Sequence, residues 1–302
     1  MSWRLTALNL GLRLIAKTYL EHVRDTGRLR RSFLRSTRAN PVAPFSWFPE
    51  DRLTVDGQAV GACWAINRAA AGRGVILYFH GGGYISGSPA THAALGARIS
   101  ALSAMRLCLP DYRLAPEHPF PAAPTDAMIA YRALLARGYP AERIVLGGDS
   151  AGGGLMFALL HMIGRARLPM PGRVFALSPW TDLTLDKGPR LDDALNDPLL
   201  PFDRVTELRD IYMAGRDPRD PRATPLLGDF HGAPPVMIQV GSAEMLLGDS
   251  RRMADHLRAQ GVEVRLDVWP HAPHVWQNFQ GRLPEADRAL AELAAFVRAG
   301  AG

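Results

Sequence analysis

Ser150 sits where a nucleophilic serine needs to sit. The run Gly148-Asp149-Ser150-Ala151-Gly152 follows the apolar segment Ile144-Val145-Leu146 and opens an Ala/Gly-rich stretch of helical character. A sharp strand-to-helix turn holds a serine Oγ above a sheet, and glycines two residues either side let the backbones approach closely. The chemistry is acyl transfer. The Ala151 N–H points to where an oxyanion develops, and the dipole of the new helix adds to it.

A second cluster supplies further donors. His80-Gly81-Gly82-Gly83-Tyr84 follows the apolar run ending at Phe79. Three glycines at a strand's carboxyl end form an anion cradle free of side chains. A phosphate loop would need a downstream Gly-Lys-Ser/Thr, which the chain lacks. Gly81 and Gly82 are the expected oxyanion donors beside Ala151, with His80 holding the loop rather than reacting.

With these runs the chain resembles the bacterial hormone-sensitive-lipase-like family of carboxylesterases. The likeness extends from about residue 70 to 295. It includes Asp111-Tyr112-Arg113-Leu114-Ala115-Pro116-Glu117-His118-Pro119-Phe120-Pro121-Ala122. The resemblance implies a capped α/β-hydrolase that cleaves short-chain esters without a cofactor or metal. It also implies that the long motif braces the nucleophile loop, with Arg113 and Glu117 in support.

A serine nucleophile of this type needs an acid and a histidine after it in chain order. His161 and His256 lie in helical stretches and His231 in a proline- and glycine-flanked loop, which leaves His271 and His274 in Trp269-Pro270-His271-Ala272-Pro273-His274-Val275-Trp276. The family pattern of histidine, apolar residue, aromatic residue falls on His274. The acid should follow the strand Val236 to Val240, within Gly241-Ser242-Ala243-Glu244-Met245-Leu246-Leu247-Gly248-Asp249. Where many relatives carry aspartate, this chain has Glu244. Asp249 is the rival, and its alternative role is the N-cap of a helix beginning at Ser250.

Positioning these groups falls to an α/β domain. From residue 74, short apolar runs (75–79, 107–109, 144–146, 174–177, 236–238, 262–269) alternate with helical stretches near 90–104, 122–137, 151–164, 203–213, 249–260 and 284–298. That rhythm predicts a mostly parallel sheet covered on both faces. A hairpin over 52–66, turning at Asp56-Gly57, brings the expected sheet to eight strands. The proline-rich interval 178–235 holds helices but no convincing strand, as a lid does. The expected organisation is therefore an N-terminal helical part of the cap over 1–50, a catalytic domain over 51–302, and a cap insertion at about 180–230. Tyr84, Trp180, Phe202, Tyr212 and Met213, with Leu12 and Ile15, are expected to line the substrate pocket.

The net charge of +6 is local. Residues 1–40 carry nine basic and two acidic side chains, and the rest of the chain is close to neutral. This distribution points away from nucleic acid as a partner. Leu5, Leu8, Leu12, Ile15, Tyr19 and Val23 recur at helical spacing, so this segment reads as an amphipathic helix over the active site or at a membrane surface. No stretch is long enough to span a bilayer. Cys63 and Cys108 have no framework spacing, which favours reduced thiols and a cytoplasmic setting. The expected partner is a small ester, without stable membrane insertion and with a homodimer left open. A lactone hydrolase or an amidase would use the same triad, and a non-catalytic receptor would need only the scaffold.

Overall fold

The computed structural model describes residues 2–70, 72, 74–185 and 196–299. Among the described residues, nine strands form one sheet: β1 (Ser46–Trp47), β2 (Glu50–Val55), β3 (Gln58–Asn67), β4 (Val75–Phe79), β5 (Arg106–Pro110), β6 (Ile144–Asp149), β7 (Arg173–Leu177), β8 (Val236–Gly241) and β9 (Val264–Trp269). The described helices are α1 (Trp3–Gly11), α2 (Thr18–His22), α3 (Thr26–Thr37), α4 (Pro89–Ser103), α5 (Ala122–Ala136), α6 (Ala151–Arg165), α7 (Phe202–Met213), α8 (Leu247–Ala259) and α9 (Pro284–Arg298).

The sheet runs β1-β3-β5-β4-β6-β7-β8-β9, with β2 beside β3, and it is parallel from β5 to β9. The α/β-hydrolase architecture expected from the sequence is therefore present. One strand more than expected forms at β1, where Asn67 Nδ2 donates to Pro44 O and Ser46 Oγ and fixes the chain along the end of β3. Alternate residues of each central strand feed different cores. Leu77, Phe79, Leu146 and Ile238 share one cluster with α5, α6 and α8, while Ile76, Tyr78, Val145 and Met237 share another with α4 and α9. β4, β6 and β8 are buried along their whole length and β7 at every residue after Arg173, which is why they read as apolar runs. Strand order reverses between β4 and β6, and ligands of open α/β sheets bind at the carboxyl ends beside such a switch. Both cysteines are free thiols, Cys108 buried and Cys63 half-buried.

The N-terminal helix departs from its expected register. Between α1 and α2, residues Leu12–Lys17 form π-helical turns. These wider turns rotate the apolar stripe, so Leu5 and Val23 are buried while Ile15 is 74% exposed. Ile15 is thus not a pocket wall. The segment is tied to the interval after β7: Arg13 donates to Asn196 O, Lys17 Nζ to Asp197 O, and Arg24 pairs with Glu207 of α7. The part of the expected insertion at 186–195 lies outside the described residues.

Candidate active site

β6 delivers Ser150 through a strained turn. Ser150 has φ +53°, and α6 begins at the next residue. The flanking glycines are needed for contact: a Cβ on Gly148 would lie 2.4 Å from Gly152 O, and one on Gly152 would lie 2.1 Å from Phe79 O. The loop that carries Ser150 therefore nests directly against the end of β4.

Ser150 is half-buried, and its hydroxyl donates to His274 Nε2 across 2.9 Å. His274 Nδ1–H donates to Glu244 Oε2 at 2.7 Å. Glu244 is almost wholly buried, and its other oxygen accepts from Gly241 N–H at 2.6 Å and from Ser178 Oγ at 2.7 Å. A glutamate fits where the shorter aspartate is usual because the carboxylate folds back onto the end of its own strand. Asp249 is engaged elsewhere. It accepts from Thr181 and Asp182 N–H and pairs with Arg252. Nor is it an N-cap: α8 starts at Leu247, so Asp249 lies inside its first turn. His271 is exposed at the rim and bonds through its N–H to Ser242 Oγ.

Burial pushes the His274 pKa down, but the hydrogen bond and charge of Glu244, with the charges of Asp197 and Asp149, outweigh it and leave it raised. A base must be neutral to take a proton, so activity should be lost as pH falls through this value. The acid limb of kcat/KM is expected to have its midpoint above the ordinary 6.5. A pH–rate profile with that midpoint below 6.5 would contradict the assignment of the base.

The oxyanion loop needs a correction. Gly81 N–H is committed to Asp149 Oδ1 at 3.0 Å, so it does not face an incoming carbonyl. Among the described residues, the amides of Gly82, Gly83 and Ala151 have no hydrogen-bond partner. The unengaged amides of the glycine run thus begin one residue later than expected. His80 holds the loop as expected: its Nδ1–H donates to Gly81 O at 2.9 Å, and Tyr112, stacked on its ring, donates its hydroxyl to His80 O. Burial and neighbouring His92 push the His80 pKa down to about 3, so the ring is neutral.

Three residues of the site escaped sequence reasoning. Asp149 lies between Ser150 and the glycine loop and accepts from Tyr78 Oη at 2.9 Å, Gly81 N–H and His92 Nε2. Burial would raise its pKa, but His92 and the Tyr78 hydroxyl hold it below the usual carboxylate value. Ser178, directly after β7, donates to Glu244 and accepts Val275 N–H at 3.2 Å, which joins the acid loop to the histidine loop. Asp197 is fully buried and accepts from Leu199, Leu200 and Met245 N–H, the last being the residue after Glu244. A carboxylate inside an apolar-strand motif was the available signal for Asp149. The others are set by long-range contacts.

The expected pocket residues divide. Tyr84 stacks on Tyr212 with centroids 3.9 Å apart, and Trp180 stands 6.2 Å from Tyr84. All three are at most 4% exposed and Met213 is buried beside them, so these side chains pack the interior. This corrects their assignment as pocket walls. Phe202, at 37% exposure, remains open to solvent. Arg113 grips Asp126 of α5, and Glu117 pairs with Arg30 of α3, which also donates to Ile85 O and Ala115 O. The long motif therefore braces the glycine loop from one side and receives the N-terminal helices on the other.

Residues 76–278 match a family described as having the alpha/beta hydrolase fold. An acetyl-hydrolase from Streptomyces hygroscopicus is 38% identical over 250 residues, covering 82% of this chain and 83% of that protein. An esterase from Acinetobacter venetianus is 34% identical over 233 residues, 77% of each. The crystal structure of an esterase from the bacterial hormone-sensitive lipase family superposes with a TM-score of 0.91 at 38% identity, covering 100% of this chain and 99% of that one.

Proposed function

Because this chain belongs to the bacterial hormone-sensitive-lipase-like family of α/β-hydrolase-fold esterases, we propose that it cleaves short-chain carboxylic esters through an acyl-enzyme on Ser150. It is a carboxylic ester hydrolase. The observation that carries the mechanism is the unbroken relay from Ser150 Oγ to His274 to Glu244, 2.9 and 2.7 Å long.

Ser150 Oγ attacks the ester carbonyl carbon as its proton passes to His274 Nε2. Glu244 keeps the imidazole in the right tautomer and stabilises the imidazolium. Gly82, Gly83 and Ala151 N–H groups receive the oxyanion, and one such donor is worth roughly 3 kcal/mol of barrier. His274 returns the proton to the leaving alkoxide, the C–O bond breaks and the alcohol departs. Water, deprotonated by the same base, attacks the acyl carbon and releases the acid and Ser150.

Two features support short acyl chains. The aromatic cluster of Tyr84, Trp180 and Tyr212 fills the space behind the nucleophile, with Trp180 N–H bonded to Ser150 O. A relative of comparable length is named an acetyl-hydrolase. Residues 1–50 and the segment at about 180–230 act together as the cap, held by the contacts of Arg13, Lys17 and Arg24. In a p-nitrophenyl ester series, kcat/KM is expected to fall at least about tenfold from butyrate to decanoate, since even a single methylene that a fitted pocket does not accommodate costs about 1–3 kcal/mol. A preference for decanoate would overturn the short-chain assignment.

A further inference from the structure

The N-terminal helix buries one apolar face and exposes another. Leu5 is fully buried in a cluster with Ala272, Trp276 and Leu283, and Asn9 Nδ2 donates to His271 O, so the inner face rests on the loop that carries His274. Trp3, Leu10 and Leu14, spaced by seven and four residues, fall on the opposite face. They are 76%, 58% and 65% exposed. An outward face is where a helix of a globular protein places its polar residues.

The exposed apolar groups are concentrated here. Of ten large hydrophobic side chains exposed among the described residues, seven lie between Trp3 and Trp47. The same segment holds the chain's excess charge, and Arg4, Arg13, Arg24, Arg28, Arg31, Arg35 and Arg38 are all exposed. Among the described residues, no helix is long and apolar enough to cross a membrane. Apolar side chains flanked by cations on a helix lying along the surface match the boundary of an anionic bilayer, where both contributions act together. A second copy of the chain would bring two strongly positive segments face to face, which disfavours self-association through this surface.

We propose that the Trp3–Leu14 face is a reversible docking surface for an anionic lipid bilayer. The inner face of the same helix contacts the histidine loop, so docking brings the rim of the active site to the lipid surface, where apolar esters collect. The body of the protein, near neutral, leaves this segment to orient the approach.

The test is flotation of the full chain with vesicles of phosphatidylcholine alone or of phosphatidylcholine with phosphatidylglycerol, at low and high salt. At low salt, capture by the anionic vesicles is expected to exceed capture by the neutral ones at least about tenfold, and to fall as salt screens the arginines. Leu10→Asn with Leu14→Asn should lose that capture while hydrolysing soluble p-nitrophenyl acetate at the parent rate. Equal capture by neutral vesicles, or capture undiminished in the asparagine variant, overturns the proposal. So does a dimer on gel filtration that the asparagine variant converts to monomer, since a second copy would then cover the stripe. Because the soluble-ester rate is read in every arm, failure of docking is distinguishable from failure of the esterase chemistry.

Discussion

Ser150→Ala is expected to lower kcat for p-nitrophenyl butyrate by about four to six orders of magnitude, to the level left by the oxyanion donors and binding alone. The loss should be chemical and not structural. Ser150 is half-buried, its backbone N–H bonds to Leu177 O, and its carbonyl accepts from Gly154 and Trp180, none of which involves the hydroxyl. Alanine would keep those bonds and the turn, although the left-handed φ of +53° strains any side chain equally. Circular dichroism and the melting temperature should therefore stay close to the parent's. Turnover within tenfold of the parent would remove Ser150 as nucleophile.

Glu244→Gln is expected to cost about 10³- to 10⁴-fold in kcat, because the amide no longer fixes the Nδ1–H tautomer or stabilises the imidazolium. Its second oxygen accepts from two donors, Gly241 N–H and Ser178 Oγ. A glutamine that turns its NH2 toward them leaves donors facing each other, and one that turns its oxygen toward them presents NH2 to His274. Either orientation breaks the relay. Asp249→Asn should behave differently. Its burial raises the carboxyl pKa to about 6, yet its partners are Thr181, Asp182 and Arg252. That variant should melt at a lower temperature and, while folded, keep kcat within a fewfold of the parent. A kinetic collapse in Asp249→Asn with Glu244→Gln active would reverse the two roles.

The contrast between these carboxylates shows which parts of the site a sequence can carry. The turn around Ser150 was legible because its requirements are local: a buried strand, two glycines and a helix start lie within a dozen residues. The alternation of apolar runs and helices marked the central strands and their parallel sense in the same way, though not the crossover that places β4 between β5 and β6. The oxyanion loop was misjudged by one residue because Gly81 N–H is taken by Asp149, 68 positions away. Ser178 and Asp197 carry no motif, and they matter only because β7 and the segment near 197 fold back against the acid loop. The pocket assignment of Tyr84, Trp180 and Tyr212 failed for a similar reason. Their types fit a pocket wall, but they stack on one another and become interior. The N-terminal helix was recognised from its periodicity, but π-helical turns at Leu12–Lys17, which no residue in that run signals, turned Ile15 outward.

The central claim is that Ser150 is a nucleophile activated by His274. The most direct measurement is peptide mapping by mass spectrometry after reaction with a fluorophosphonate. One adduct is expected, on Ser150, formed in step with loss of esterase activity, absent in Ser150→Ala and slowed at least about a hundredfold in His274→Ala, the scale of a positioned general base. No adduct in the active parent protein, or an adduct on another residue that accompanies inactivation, would contradict the account.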